Sequence, residues 1–213
     1  MNKIQVMVTD NYKLNRESWA FILNSDPRFQ VVGECAETDD VMQLATEKRP
    51  DVILININMP LSKRLQSIVD IRRRCPSSNI IGISPNPLPG YAKKMMQRGA
   101  KGYVTRNSSK EEVFLAIVEV AHGNKYICEE VRNIFYDQLL LDDKQEKPAK
   151  EISIRELEII ELIKTGQSSK EIAGELHISL RTVEVHRHNI LKKLNLKNTV
   201  SLINYVNSSL ILE

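Results

Sequence analysis

The sequence is poor in the residues that hold small or metal-dependent folds together. Its three cysteines, Cys35, Cys75 and Cys128, are odd in number, far apart and in no Cys-x-x-Cys pair. That argues against a disulfide framework and against a zinc site, and leaves buried free thiols as the expectation. No apolar run approaches the roughly 20 residues that a membrane-spanning helix requires, so no membrane partner is expected. The N-terminal stretch MNKIQVMVTD has no apolar block of the signal-peptide kind and reaches an aspartate at Asp10, so a cytoplasmic location is expected. Net charge is also scarce: +3 over the whole chain is too little to identify a nucleic-acid partner.

The charge that is present is unevenly placed. Between Ser179 and Asn198 the cations Arg181, Arg187, Lys192, Lys193 and Lys197 face only one carboxylate, Glu184. The chain has 213 residues, more than one typical domain, and its 42% hydrophobic and 27% charged content suits packed cores, so two domains are expected. Through the first 125 residues, short β-branched runs (IQVMV, QVVGEC, VILIN, NIIGIS, GYV) alternate five times with stretches of helical periodicity. Alternation of this kind predicts an α/β domain, a doubly wound parallel sheet covered by helices on both faces. The working crevice of such a sheet lies at the carboxyl ends of the central strands, which groups Asp10, Asn11, Asn56 and Ser84.

The last helix of this domain is expected to open at Ser109, with Glu112 completing a capping box, and to stop at His122-Gly123-Asn124. An amphipathic segment, EEVRNIFYDQLLL, follows and gives way to the polar DDKQEKPAK, read as a linker helix and flexible linker over residues 126–150. Residues 151–213 carry no strand signal and four helical patterns, an all-α domain. Ser153 with Glu156 and Ser168 with Glu171 are capping boxes, and Gly166 closes the first helix. Ser179 is the expected N-cap of the third helix, after a short turn at His177 to Ser179. Two helices so joined form a helix-turn-helix.

The segment ISIRELEIIELIKTGQSSKEIAGELHISLRTVEVHRHNILKKL resembles the DNA-binding domain of LuxR/FixJ-type regulators. It carries that family's Arg-Glu pair, Ser-Lys-Glu-Ile-Ala run, Thr182-Val183, His186-Arg187 and Lys193-Leu194. Residues 1 to about 125 resemble the receiver domain of two-component response regulators, with Asn-Met-Pro after the third strand and GAKGYV before the last helix. The resemblance implies an acidic pair at Asp10 and Asn11, a phosphoryl-accepting aspartate at Asn56, a switch Ser/Thr at Ser84, a switch aromatic at Tyr103 and a charge-pairing lysine at Arg106. Only Asp10, Ser84 and Tyr103 fit that pattern. An amide is neither charged nor able to form a stable acyl phosphate, so Asn56 cannot accept a phosphoryl group. With Asn11 and Asn56 neutral, magnesium should bind weakly, and Arg106 is expected to hold Asp10 in a bidentate pair. Pro85, Pro87 and Pro89 in the following loop suit either a stiffened switch region or a plain exposed turn.

In the third C-terminal helix Val183, Ile190 and Leu194 should face the core, while Arg181, Glu184, Val185, His188 and Lys192 form the opposite stripe. A helix of this kind enters the major groove, where Arg181 can donate to guanine, Val185 pack on a thymine methyl and Glu184 accept from cytosine. Thr182, His186, Arg187, Lys192, Lys193 and Lys170 are expected near phosphates or the groove rim. His186 and His188 lie two apart on a helix with no third ligand nearby, so no metal site is read there. Val200, Ile203, Val206 and Leu210 in the fourth helix form an apolar stripe, either a DNA-bound dimer contact or core. No catalytic constellation and no cofactor motif is recognisable.

The function expected is a DNA-binding transcription regulator that acts without aspartyl phosphorylation, as a homodimer on double-stranded DNA, with an unknown protein or small molecule regulating its receiver. Two alternatives stay open: a receiver-based interaction adaptor without specific DNA binding, and a regulator phosphorylated on a non-standard acceptor such as Asp10.

Overall fold

The computed structural model describes residues 2–36, 38–56, 61–85, 87–142 and 152–208. The chain divides into two compact units, Met1–Leu139 and Leu140–Glu213. The Asn-Met-Pro motif, the linker at 143–150 and Leu210 lie outside the described residues, as does the side chain of Val206.

In the first unit, β1 (Ile4–Thr9), α1 (Lys13–Asn24), β2 (Phe29–Cys35), α2 (Thr38–Lys48), β3 (Val52–Asn56), α3 (Leu61–Arg74), β4 (Asn79–Ser84), α4 (Pro89–Gln97), β5 (Gly102–Thr105) and α5 (Lys110–Ala121) alternate along the chain. The strands are parallel, in the order β2-β1-β3-β4-β5, with a sixth strand beyond β5. Val52 to Ile55 are all buried because strands in the middle of such a sheet are covered on both faces. The order reverses between β1 and β3, and the chain ends of those two strands form a crevice there. Asp10 follows β1 and Asn56 ends β3, so the topology alone brings them together. Gly102 allows β5 to approach β4: a Cβ at this position would lie 2.6 Å from Ile81 Cγ1.

The first unit runs past residue 125, where the sequence reading ended it. Tyr126–Ile127 form β6, paired with Gly102 and Tyr103 of β5, and α6 (Glu129–Asp142) follows. Cys128 and Val131 are fully buried, and the Cys128 amide donates to the Tyr103 carbonyl at 3.0 Å. The edge of β5 carries backbone groups that need partners, and a two-residue strand supplies them while being too short to show any periodicity.

In the second unit α7 (Ile154–Lys164), α8 (Ser169–Glu175), α9 (Leu180–Lys193) and α10 (Thr199–Ser208) enclose a core of Ile159, Ile160, Ile163, Ile172, Ala173, Val183, Ile190 and Leu202. Both capping boxes form, at Ser153/Glu156 and Ser168/Glu171, and Ser179 caps α9 by accepting from the Thr182 amide. Gly166 ends α7 at φ +85°. Leu194 packs against the core from its rim. In α10 Leu202, which the apolar stripe omitted, is the buried anchor; Ile203 is half-buried and Val200 is 65% exposed. Leu202→Ala is expected to lower the stability of this unit by about 2–5 kcal/mol, and Val200→Ala by less than about 0.5. The only tryptophan, Trp19, lies in α1, so unfolding of the second unit is followed by circular dichroism rather than fluorescence.

Candidate functional site

At the carboxyl edge of the sheet Asp10 is 3% exposed, and both oxygens of its carboxylate accept hydrogen bonds. Oδ1 accepts the Tyr12 amide at 2.8 Å, while Oδ2 accepts the Asn15 side-chain amide at 3.1 Å and the side-chain amide of Asn56. The Asp10 carbonyl accepts the Arg16 guanidinium at 2.5 Å. The other end of the Asn56 amide, its oxygen, accepts from Arg106 Nη2 at 3.4 Å. An ionised carboxylate only accepts and a guanidinium only donates, so an amide between them has one orientation that satisfies both. Asn56 therefore links Asp10 to Arg106.

The expected bidentate pair between Arg106 and Asp10 does not form. Arg106 reaches Asn56, and among the described residues no ion pair involves Asp10. Asn11 is exposed and outside this network. The sequence reading does not include Asn15 and Arg16, in the first turn of α1; the signal for them is a carboxylate three residues before a helix start, a position where local amide donors converge. Ser84 and Tyr103 are buried beside each other, and the Ser84 carbonyl accepts the Arg106 amide at 2.9 Å. Burial pushes the Tyr103 phenol well up from its ordinary value, against the opposing effect of its side-chain hydrogen bond with Ser84. Its ring meets Tyr91 edge-on at 6.1 Å. Pro89 occupies the first turn of α4, where its missing N–H leaves no orphan.

Among the described residues of this network the one carboxylate is Asp10. A divalent cation at Oδ2 of Asp10 would compete with the Asn56 and Asn15 amides there. Among the described residues no group of three or more His, Cys, Asp or Glu is placed to hold a metal ion, and no helix is long and apolar enough to cross a membrane.

In the second unit α8 and α9 are joined through Leu176, His177 (φ +52°), Ile178 and Ser179. The Ile178 amide donates to the Ala173 carbonyl at 3.0 Å, which fixes the turn. Along α9 Val183 and Ile190 are fully buried, whereas Arg181, Thr182, Glu184, Val185, His188 and Lys192 are exposed. Lys170 is exposed on α8 and His186 is half-buried. Two cations expected at phosphates are engaged inside the unit instead. Arg187 Nη2 donates to Thr199 Oγ1 at 3.0 Å, tying α9 to the start of α10. Lys193 Nζ lies 2.6 Å from Glu156 Oε2, whose side chain is 3% exposed. Burial opposes ionisation of Glu156, but Lys193 and the donors of Ser153 outweigh it and hold the carboxyl below its ordinary range. Arg155 likewise pairs with buried Glu158 at 2.9 Å and donates to the Leu176 carbonyl at 2.8 Å, anchoring the turn to α7.

Comparison with known proteins places these two sites in a family. Residues 6–118 match the response regulator receiver domain, and residues 150–206 match the bacterial regulatory proteins of the luxR family. The chain is a response regulator of the luxR family. It is 32% identical over 217 residues to the oxygen regulatory protein NreC of Staphylococcus epidermidis, covering 99% of this chain and all of that one. The transcriptional regulatory protein DegU of Brevibacillus brevis is 31% identical, with 92% and 90% covered. Among solved structures, the RcsB response regulator of Salmonella typhimurium shares the fold with a TM-score of 0.72 at 22% identity, over 98% of this chain and 99% of that one. Members of this family are DNA-binding transcription regulators, not enzymes.

Because Glu156 is ionised below its ordinary value near 4.5, its pairing with Lys193 contributes stability that is present above that pH and is lost as pH falls through the lowered value. Lys193→Ala leaves a buried carboxylate unpaired and is expected to lower the stability of the second unit by about 2–3 kcal/mol at pH 7. The variant's deficit should shrink below about pH 4.5 as Glu156 protonates. Circular dichroism melts at pH 7 and pH 4, with Lys192→Ala as the unchanged control, check both.

Proposed function

We propose that this response regulator binds operator DNA as a dimer without aspartyl phosphorylation, and that its receiver is a closed, self-satisfied module. One observation carries the reading: at the acceptor position the Asn56 amide is engaged by Asp10 on one side and Arg106 on the other. The carboxylate nucleophile is missing from that position, and the single remaining carboxylate already accepts three amide N–H groups. Asp10 is thereby also a poor substitute acceptor.

DNA is read by α9, whose N-terminal half presents Arg181, Thr182, Glu184 and Val185 as an exposed surface that His188 continues. Lys170 and Lys192 are the exposed cations beside it that suit phosphates. A unit this small with few free cations binds weakly alone, which favours two copies on half-sites about one helical turn apart. Exposed Val200 and Tyr205 of α10 are the apolar surface available for that contact. Regulation then falls to abundance, or to a protein or small molecule acting on the receiver in the cytoplasm.

The test is enrichment of genomic fragments by the untreated protein at about 150 mM salt, a concentration at which phosphate contacts alone are weakened. Specific sites should be recovered without phosphodonor, unchanged after acetyl phosphate, and lost in Arg181→Ala. An adduct of about 80 Da after acetyl phosphate, with a gain in DNA binding, would contradict the reading. Failure to enrich any fragment in either state would favour an interaction adaptor.

A further inference from the structure

The reading face of α9 contains a carboxylate. Glu184 is exposed between Arg181 and His188, and it makes no hydrogen bond or ion pair among the described residues. Arg181 stands three residues before it, a spacing at which helix side chains meet, yet no ion pair joins the two. Beside it Val185 is 53% exposed although Val183, two residues earlier, is fully buried. An apolar side chain and an unpaired carboxylate thus project together from the helix surface opposite the core.

The surrounding charge sharpens the point. Of the five cations between Ser179 and Asn198, Lys193 is paired with Glu156 and Arg187 gives one N–H to Thr199, so the least encumbered attraction for phosphates comes from the remaining three and Lys170. A carboxylate brought into a groove lined by phosphates is repelled by every DNA sequence. That repulsion is offset only where an amino group meets it. In the major groove the amino donors are N4 of cytosine and N6 of adenine; adenine sets its N7 acceptor beside that donor, so cytosine is the base a carboxylate matches.

Resting on the reading of α9 as the DNA-binding helix, we propose that Glu184 is a specificity-determining residue that selects one cytosine in each half-site and rejects other bases by repulsion. Its role is discrimination rather than affinity. Arg181 and Lys192 attract DNA of any sequence, and Glu184 removes most of it. Val185, adjacent on the same surface, is placed for the methyl group of a neighbouring thymine.

The experiment is selection from randomised duplexes by the full-length protein, its Glu184→Gln variant and its Glu184→Ala variant, with binding to unselected DNA measured alongside. The wild type should enrich a cytosine at one position per half-site, favoured over other bases by about ten- to hundredfold. Glu184→Gln should change that position to adenine, whose N6 and N7 match a side-chain amide. Glu184→Ala should lose the preference and bind unselected DNA several-fold more tightly. Both variants should melt with the wild type, since Glu184 is exposed and makes no hydrogen bond or ion pair among the described residues. A motif shared unchanged by all three proteins would overturn the assignment of Glu184 while leaving DNA reading by α9 intact. If the wild type enriches no sequence, the reading of α9 itself fails and the proposal falls with it.

Discussion

The side-chain amide of Asn56 joins a buried carboxylate to a guanidinium that do not touch each other. That bridge requires one donor end and one acceptor end, which the neutral amide provides and an ionised carboxylate does not. An aspartate in its place would set acceptor against acceptor at Asp10, a like-charge contact that needs a cation to hold it. The edge of the sheet is therefore organised around a neutral residue. Tyr12, Asn15 and Asn56 satisfy Asp10, Arg106 satisfies Asn56, and the backbone of Arg106 is held by Ser84. Tyr103, buried beside Ser84 and on the same strand as Gly102, belongs to the strand whose outer edge β6 covers.

Buried carboxylates also govern the second unit, by a different route. Glu156 is at once the capping residue of α7 and the partner of Lys193 near the end of α9, so one side chain fixes a helix start and an interhelical contact. Glu158, through Arg155, reaches the carbonyl at the turn between α8 and α9. Lys193, paired with Glu156, is thereby less free for other anions, while Arg187 gives one of its N–H groups to Thr199.

Much of this was legible in the sequence. Five β-branched runs alternating with helical periodicity specify a parallel sheet, and Ser109, Ser153, Ser168 and Ser179 marked helix starts that the structure bears out, because capping is a local interaction. Val183 and Ile190 followed from helical spacing. Asp10, Asn56 and Arg106 were grouped from topology and resemblance. What sequence could not supply was who bonds to whom: Arg106 was placed on Asp10, but Asn56 stands between them. Lys193 and Arg187 looked like surface charges because their partners, Glu156 and Thr199, are respectively 37 and 12 residues away. Strand β6 escaped because two residues carry no period.

We propose that the Asn56 amide fills the place of metal and acceptor. It is tested most directly by the nuclear magnetic resonance signals of the Asn56 side-chain NH2 group, assigned by its loss in Asn56→Ser. The account predicts protons protected from solvent exchange, one of them shifted by its bond to the Asp10 carboxylate, and unchanged by excess magnesium. Fast exchange, or a saturable shift as magnesium is added, would show an open pocket that still binds the cation and would contradict the account.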